Sequence, residues 1–313
     1  MAAKGIQAGN VPGTGLALRS RAVPFTFVVV LHDSAAELGA LLRSLDAHLA
    51  GRPQVVVVDT GSEDGGARAA AAWGAEVLER RDNPGFGAAS NAGVERAEHA
   101  VTVLANPDCE LVDGALAALA ARATAVDALH APRLLNADGS VQRSAHPLPG
   151  TVGALAGAVL HGPLLPRPLR ERLEPYRAER ARTVGWATGA CLAARTATLR
   201  RLGPFDPAIH LFGEDLDLCL RARAAGIRTV LHPDLTLRHA GGHATMRRGE
   251  PYDLLARTRR AAVRGSLGPR ALALDDAAQA LTFASRAAGH ALLGGDARRP
   301  LDQLAALGRA RRG

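Results

Sequence analysis

AVTVLANPDCEL, residues 100–111, is an almost wholly apolar run that breaks into Asn-Pro-Asp before apolar positions return. Without polar alternation, Ala100–Ala105 reads as a strand covered on both faces, and Pro107 stiffens the turn that leaves it. Upstream, FTFVVVL (25–31), QVVVVD (54–59) and EVLER (76–80) have the same character, and each precedes a helix-forming stretch. The first of these stretches opens with a capping-box pattern, Ser34 and Glu37, and continues with Leu38, Leu41, Leu42, Leu45 and Leu49 at helical spacing. The alternation predicts an α/β fold: an open, mostly parallel sheet with helices on both faces. Ligands of such sheets bind beyond the carboxyl ends of the strands. Three polar clusters stand there, DTGSEDGG (59–66), DNPGFGAASN (82–91) and NPDCE (106–110), and together they predict one shared site.

Composition narrows the classes. With 313 residues and 47% hydrophobic content, the chain can bury a sizeable core, and its aromatics are few. The three cysteines, Cys109, Cys191 and Cys219, have long spacings and no CxxC, which argues against a disulfide framework or zinc site and for a reducing cytoplasm. Residues 1–22 contain no signal-peptide core and read as a loose, flexible tail. The apolar stretch Thr151–Leu165 is too short for a membrane span and carries His161 and Pro163. The net charge of +8 sits mainly in residues 254–313, with 11 Arg against 4 Asp. Lys4 is the only lysine, so arginine abundance partly reflects coding bias; with so few aromatics for base stacking, no nucleic-acid partner is expected. That tail should form two helices, broken near Gly268 and Pro269 and again near Gly294 and Gly295, with Leu281, Ala284 and Ala288 turned toward a partner surface. Its arginines suit a peripheral contact with anionic lipid.

After residue 132 the strand-helix rhythm gives way to a Pro- and Arg-rich connection reaching about residue 183, and order resumes at TVGWATGACLAAR (183–195). GEDLDLCLR (213–221) follows, then the strand IRTVLH and RHAGGHAT (238–245).

Taken in order, VVVDTGSEDG, NPGFGAASN, NPD, GEDLDLCLR and HAGGHAT resemble the family 2 glycosyltransferases of the GT-A nucleotide-diphospho-sugar transferase fold, especially their rhamnosyltransferase-like members, over about Phe25–Thr245. The resemblance implies an inverting, metal-dependent enzyme of cell-envelope polysaccharide synthesis. It would move a sugar from a nucleotide-diphosphate donor to a hydroxyl of a glycan or lipid-linked acceptor, working in the cytoplasm or at the inner face of the membrane. It favours dTDP-rhamnose as donor, with UDP- or GDP-sugars as the other options. By the same likeness Asp59 accepts hydrogen bonds from the nucleotide base, although a strand-end Asp also begins turns. Thr60 stands where the family has Asn. Gly85, Phe86, Gly87 and Asn91 fall in the Gly-rich donor loop, or form a tight turn with Phe86 buried. In the DxD-type motif Asn106 replaces the first Asp and positions ribose or water, while Asp108 ligates Mg²⁺ or Mn²⁺ or else caps a helix near Val112. Asp215 is the general base, and Glu214 orients the acceptor or is itself the base. Acids at a helix N-terminus also suit its dipole. Asp217 lies on the acceptor side, and Arg221 pairs with it or with the diphosphate. His239 approaches the metal or pyrophosphate, or is structural; Trp186 stacks on a sugar or fills core.

The expected division is a tail (1–22), a GT-A domain (23–250) and a basic helical extension (251–313). Two rivals share the fold. A non-catalytic sugar-nucleotide-binding or scaffold protein would keep the crevice without turnover. A sugar-nucleotide pyrophosphorylase would carry a Gly-rich loop after the first strand, where this chain reads LHDSAAE.

Overall fold

The computed structural model describes residues 24–160, 165–241 and 251–312. The tail 1–22, His161, Pro163, Gly242 and His243 lie outside the described residues.

Strands β1 (Thr26–Leu31), β2 (Gln54–Asp59), β3 (Glu76–Glu79) and β4 (Val101–Ala105) pair in parallel in the order β3-β2-β1-β4. The apolar runs of β1, β2 and β4 are explained by burial on two faces, while β3, EVLE at the sheet edge, is only partly buried. Phe27, Val29 and Leu31 pack under Leu38, Leu41, Leu42 and Leu45 of helix α1 (Ala35–His48). The alternate residues Val28 and Val30 join Val56, Val58 and, from α3 (Phe86–Glu95), Ala89 and Val94 on the other face. The expected Ser34 capping box does not form: the Ser34 hydroxyl donates to the His32 carbonyl, and the Asp64 carboxylate instead accepts the Ala35 N–H at 2.7 Å. A neighbouring loop has taken the local cap's place.

Beyond β4 the sheet becomes mixed. β10 (Cys191–Arg195) runs antiparallel between β4 and β6 (Leu129–Leu135), and β11 (Thr229–His239) is parallel to β6. The short strands β5 (Cys109–Leu111) and β8 (Arg182–Val184) pair antiparallel with β11, while β7 (Ala145–His146) and β9 (Trp186–Ala187) form a separate ribbon. Other helices are α2 (Gly66–Trp73), α4 (Ala115–Ala125), α5 (Val152–Val159), α6 (Arg167–Leu173), α7 (Thr196–Leu202) and α8 (Glu214–Ala224).

Two further helices close the chain, α9 (Tyr252–Leu292) and α10 (Arg298–Arg312). Gly268, with φ 83 and ψ 177, and Pro269 break α9, so both expected interruptions are present and leave three helical pieces. Ala262, Val263 and Leu272 cover Leu216 and Leu220 of α8. Arg259 donates two hydrogen bonds to buried Asp275, and Arg260 and Arg311 face buried Asp276, which holds the pieces together. Leu281 is 44% exposed and Ala284 and Ala288 are also exposed, so that face turns outward. Among the described residues no helix is long and apolar enough to cross a membrane.

Buried histidines set the acid limit of this fold. Arg122 can only donate, so its 2.7 Å contact makes His232 Nδ1 an acceptor; His232 Nε2–H then donates to His130 Nδ1 (2.8 Å), and His130 Nε2–H to the Val126 carbonyl (3.0 Å). An added proton would set donor against donor. Burial, then the charges of His130 and Arg122, push His232 down to about 4; burial, then Arg259, pushes His146 down to about 3. Below the ordinary value of 6.5 the unfolded chain therefore binds more protons than the folded one. Stability should fall with pH by up to ~1.4 kcal/mol per unit per histidine, levelling off as each folded-state value is passed. Thermal melts between neutral pH and pH ~4 check this, and His232→Asn should flatten the slope.

Candidate active site

The register of β5 against β11 pairs Cys109 with His239, so the Asn-Pro-Asp turn meets the end of the last strand. The turn is closed by the Cys109 N–H donating to the Asn106 carbonyl at 3.2 Å. Asp108 Oδ2 accepts the Gly241 N–H at 3.0 Å, and Oδ1 lies 3.3 Å from His239 Nε2. Burial alone would raise the Asp108 pKa, but His239 and the Gly241 N–H hold the carboxyl below its ordinary value. The alternative helix-cap role falls to Asp113, whose Oδ1 accepts the Ala115 N–H at the start of α4.

Gln142 determines how His239 faces this turn. Its Nε2 donates to Asn136 Oδ1 at 3.1 Å, which leaves Oε1 for His239 Nδ1–H at 2.8 Å. His239 Nε2 then points toward Asp108 and the Asn106 amide, 3.4 Å away. At 3.3 Å the Asp108 carboxylate and His239 Nε2 form an ion pair when the imidazole is charged and offer two ligand atoms to one cation when it is neutral. The described residues contain no cluster of three or more His, Cys, Asp or Glu at a common point. With a neutral imidazole, Asp108 and His239 fit a hard divalent cation as a two-residue platform, whose other positions would be filled by diphosphate oxygens and water.

The second half of the site lies at the start of α8. Asp215 Oδ2 accepts the Gly189 N–H at 3.0 Å and Oδ1 accepts its neighbour's N–H, that of Leu216, at 2.7 Å. Burial raises its pKa against these two amides. Glu214 beside it is buried, its Oε2 lacks a hydrogen-bond partner, and burial together with the Asp215 charge pushes it up to about 8. Burial thus works against charge on both carboxylates of the pair. The two halves are joined through the chain: Gly189 N–H holds Asp215, while the next carbonyl, Ala190, accepts the Asn106 N–H at 3.0 Å.

Several expected contacts with a donor are instead contacts within the fold. Arg221 donates to Asp217 at 2.7 Å and to the carbonyls of Leu202, Gly203 and Pro204, so it closes the end of α7 and does not face a diphosphate. Asp217 is buried in that pair and is no acceptor-side group. Asn91 spends both ends of its amide on the backbone of Phe205, and Phe86 packs edge-on against the Phe205 ring at 5.8 Å. Gly85 and Gly87 allow close approach to this same loop: a Cβ on Gly85 would stand 2.3 Å from the His210 carbonyl oxygen, and one on Gly87 2.9 Å from Phe205 Cβ. Gly85 also has φ +90. Gly85→Ala should cost at least ~2–3 kcal/mol in a denaturant melt, from positive-φ strain and the backbone clash. Asp59 Oδ1 accepts the Ser62 N–H at 3.1 Å, the turn role, at the strand end facing the crevice. Thr60 donates to the Leu31 carbonyl and so ties β2 to β1.

A cavity of about 290 Å³ opens beside the carboxylate pair. Trp186 and Phe212 line it from the sheet side, and Arg259, Gln279, Phe283 and Gln303 line it from α9 and α10. Trp186 is stacked on His146 at 4.1 Å, with the Arg259 guanidinium 5.9 Å from its ring. Neither Gln142 nor the α9–α10 lining follows from the sequence. Gln142 sits in a loop without a motif, and a helical repeat shows which face is apolar but not which cavity it closes.

Residues 22–265 match the family model described as "Glycosyltransferase like family 2". The N-acetylglucosaminyl-diphospho-decaprenol L-rhamnosyltransferase of Mycobacterium tuberculosis is 31% identical over 242 residues, which cover 70% of this chain and 77% of that one. A mannosyltransferase from Pyrobaculum calidifontis, solved in complex with GDP-Man and Mn²⁺, superposes with a TM-score of 0.56 at 20% identity, over 91% of this chain and 85% of that one. TarS of S. aureus in complex with UDP-GlcNAc gives a TM-score of 0.50 at 15% identity, over 86% and 73% of the two chains. At these identities the two structures establish a likeness of fold.

Proposed function

Because the chain belongs to glycosyltransferase-like family 2 and has the GT-A fold, we propose that it is a metal-dependent, inverting transferase that moves rhamnose from dTDP-rhamnose to a sugar hydroxyl on a lipid-linked acceptor. The observation that carries this reading is the buried Glu214–Asp215 pair at the start of α8, with Asp215 held by two amides and lining the 290 Å³ cavity. The name of the Mycobacterium tuberculosis relative supports both the sugar and the acceptor class. Residues 23–250 form the transferase domain on this reading, and 251–313 an acceptor-side extension resting at the membrane surface.

The acceptor hydroxyl donates its hydrogen bond to Asp215, which takes the proton as the oxygen attacks the anomeric carbon. The nucleoside diphosphate leaves from the opposite face, so the configuration inverts. Glu214 stays neutral at pH 7 and adds no repelling charge beside the base. Its buried Oε2 is free to bond the acceptor. Asp108 and His239 would hold Mg²⁺ or Mn²⁺, which supplies charge neutralisation for the leaving diphosphate. Asn106 orients the ligand beside them, and Asp59 reads the base. Trp186 forms the wall against which the acceptor sugar stacks.

Nucleoside diphosphate release over a panel of dTDP-, UDP- and GDP-sugars, with either metal and with EDTA, tests the reading. Release from dTDP-rhamnose that EDTA abolishes is the expected result; a chain that binds none of the donors is not this enzyme.

A further inference from the structure

We infer that Gln279 and Gln303, one from each helix of the extension, recognise an N-acetylamino group on the terminal sugar of the acceptor. The inference rests on the transferase reading proposed above and adds which side chains select the acceptor sugar.

The cavity that holds Glu214 and Asp215 is closed by α9 and α10, and both glutamines line it. Gln279 is held from behind. Its Nε2 donates to Asp275 Oδ2 at 3.0 Å, and the buried Asp275 also accepts from Arg259 at 2.9 and 2.7 Å. A carboxylate paired with a guanidinium only accepts, so Nε2 is the end of the amide that faces Asp275, and Oε1 is the end left for a ligand. That oxygen can take an N–H or O–H but offers nothing to a carbonyl. The Gln303 side chain, on the other helix, makes no hydrogen bond among the described residues, so its Nε2 is available as the missing donor.

Apolar side chains stand beside the two amides. Phe283 follows Gln279 by one helical turn and Leu307 follows Gln303 by one, and all four line the cavity. The chain folds α10 back along α9, where Arg311 reaches Asp276, so each amide lies toward the apolar residue of the other helix. An N-acetylamino group has the matching composition: one N–H, one carbonyl and a methyl. Gln279 Oε1 would accept the N–H, Gln303 Nε2 would donate to the carbonyl, and Phe283 and Leu307 would cover the methyl. A hydroxyl in its place would still donate to Gln279 but would leave the apolar surface and the Gln303 donor unmatched. The volume of about 290 Å³ stands near the lower limit of ~300 Å³ for small-molecule pockets, so it takes one sugar ring, and the rest of the acceptor extends out of it.

The test uses two acceptors that differ only at the second ring carbon, N-acetylglucosamine and glucose, each as its farnesyl diphosphate ester. Binding to the full-length chain is read by calorimetry with dTDP and Mn²⁺ present, and transfer is read as kcat/KM. Wild type should favour the N-acetylated acceptor about tenfold or more in both readouts. Gln279→Met should remove most of that preference by weakening the N-acetylated acceptor alone, with the glucose ester changed no more than about twofold. Asp275 keeps Arg259 in this variant, so the fold should survive, and a melt checks it. Gln303→Leu changes a half-buried side chain with no partner to lose; it should act in the same direction, and it carries the test if Gln279→Met unfolds. Equal affinity of wild type for the two acceptors, binding of neither, or a preference that either folded variant retains would overturn the site. Equal losses on both acceptors would make the glutamines structural and also overturn it. A wild type that prefers the N-acetylated ester through Gln279 yet transfers nothing would support this site and count against the proposed reaction.

Discussion

Asp215→Asn should lower the rate of sugar transfer by about 10³-fold, with donor affinity changed no more than a few-fold. Asparagine preserves the shape and its single oxygen can still accept one of the Gly189 and Leu216 amides, so a melt accompanies the assay to show that the fold remains. What it loses is the ability to take a proton from the acceptor hydroxyl. Donor affinity should survive because Asp215 touches the Asn106–Asp108 turn only through the Gly189–Ala190 backbone. Initial rates with saturating acceptor, beside donor binding by calorimetry, separate the two effects. Glu214→Gln is the companion variant. Since Glu214 is pushed up to about 8, glutamine resembles its neutral-pH state, and transfer at pH 7 should stay within roughly tenfold of wild type. The ionisation near pH 8 should vanish from the rate profile.

Asp108→Ala is expected to cost about 10²–10³-fold in transfer and to abolish stimulation by Mg²⁺ or Mn²⁺. Its carboxylate both faces His239 and holds the Gly241 N–H, so alanine removes the anionic half of the platform and loosens the loop that follows β11. Gln142→Ala should give a smaller loss, about 10- to 100-fold, felt chiefly as weaker apparent metal affinity. The His239 ring would keep its place on β11 but lose the acceptor that fixes its tautomer. Titration of the rate with Mn²⁺ for the three proteins checks the order. Equal metal dependence in all three would remove Asp108 from the proposed metal site.

The parallel half of the fold was legible because its signals are local. Residues 54–59 were read as a strand and are β2, since five consecutive apolar or strand-ending positions leave no helical alternative. The sheet-end rule singled out the Asn-Pro-Asp turn after β4, and the pairing of β5 with β11 brings His239 beside it. What one sequence could not show is which partner a polar group chooses once the chain folds. Arg221 is four residues from Asp217 and does pair with it, but its other nitrogens go to carbonyls at the end of α7, 17 to 19 residues away. Asn91 and the glycines at 85 and 87 carry the spacing of a ligand loop, yet their neighbours are Phe205 and His210, more than 110 residues on. The extension reads as a basic helical tail because its charges are arginines. Its cavity-lining face depends on Asp275 and Asp276 being buried against Arg259 and Arg260, a tertiary fact with no local signature.

The account stands most directly on the anomeric configuration of the product. With dTDP-rhamnose, Mn²⁺ and the polyprenyl diphosphate acceptor, one-bond carbon–hydrogen couplings at the new glycosidic centre should show configuration opposite to that of the donor. That is the result of a single displacement with Asp215 as base. A product with the donor's configuration retained would require a second displacement that Asp215 and Glu214 are not arranged to perform here, and would contradict the mechanism.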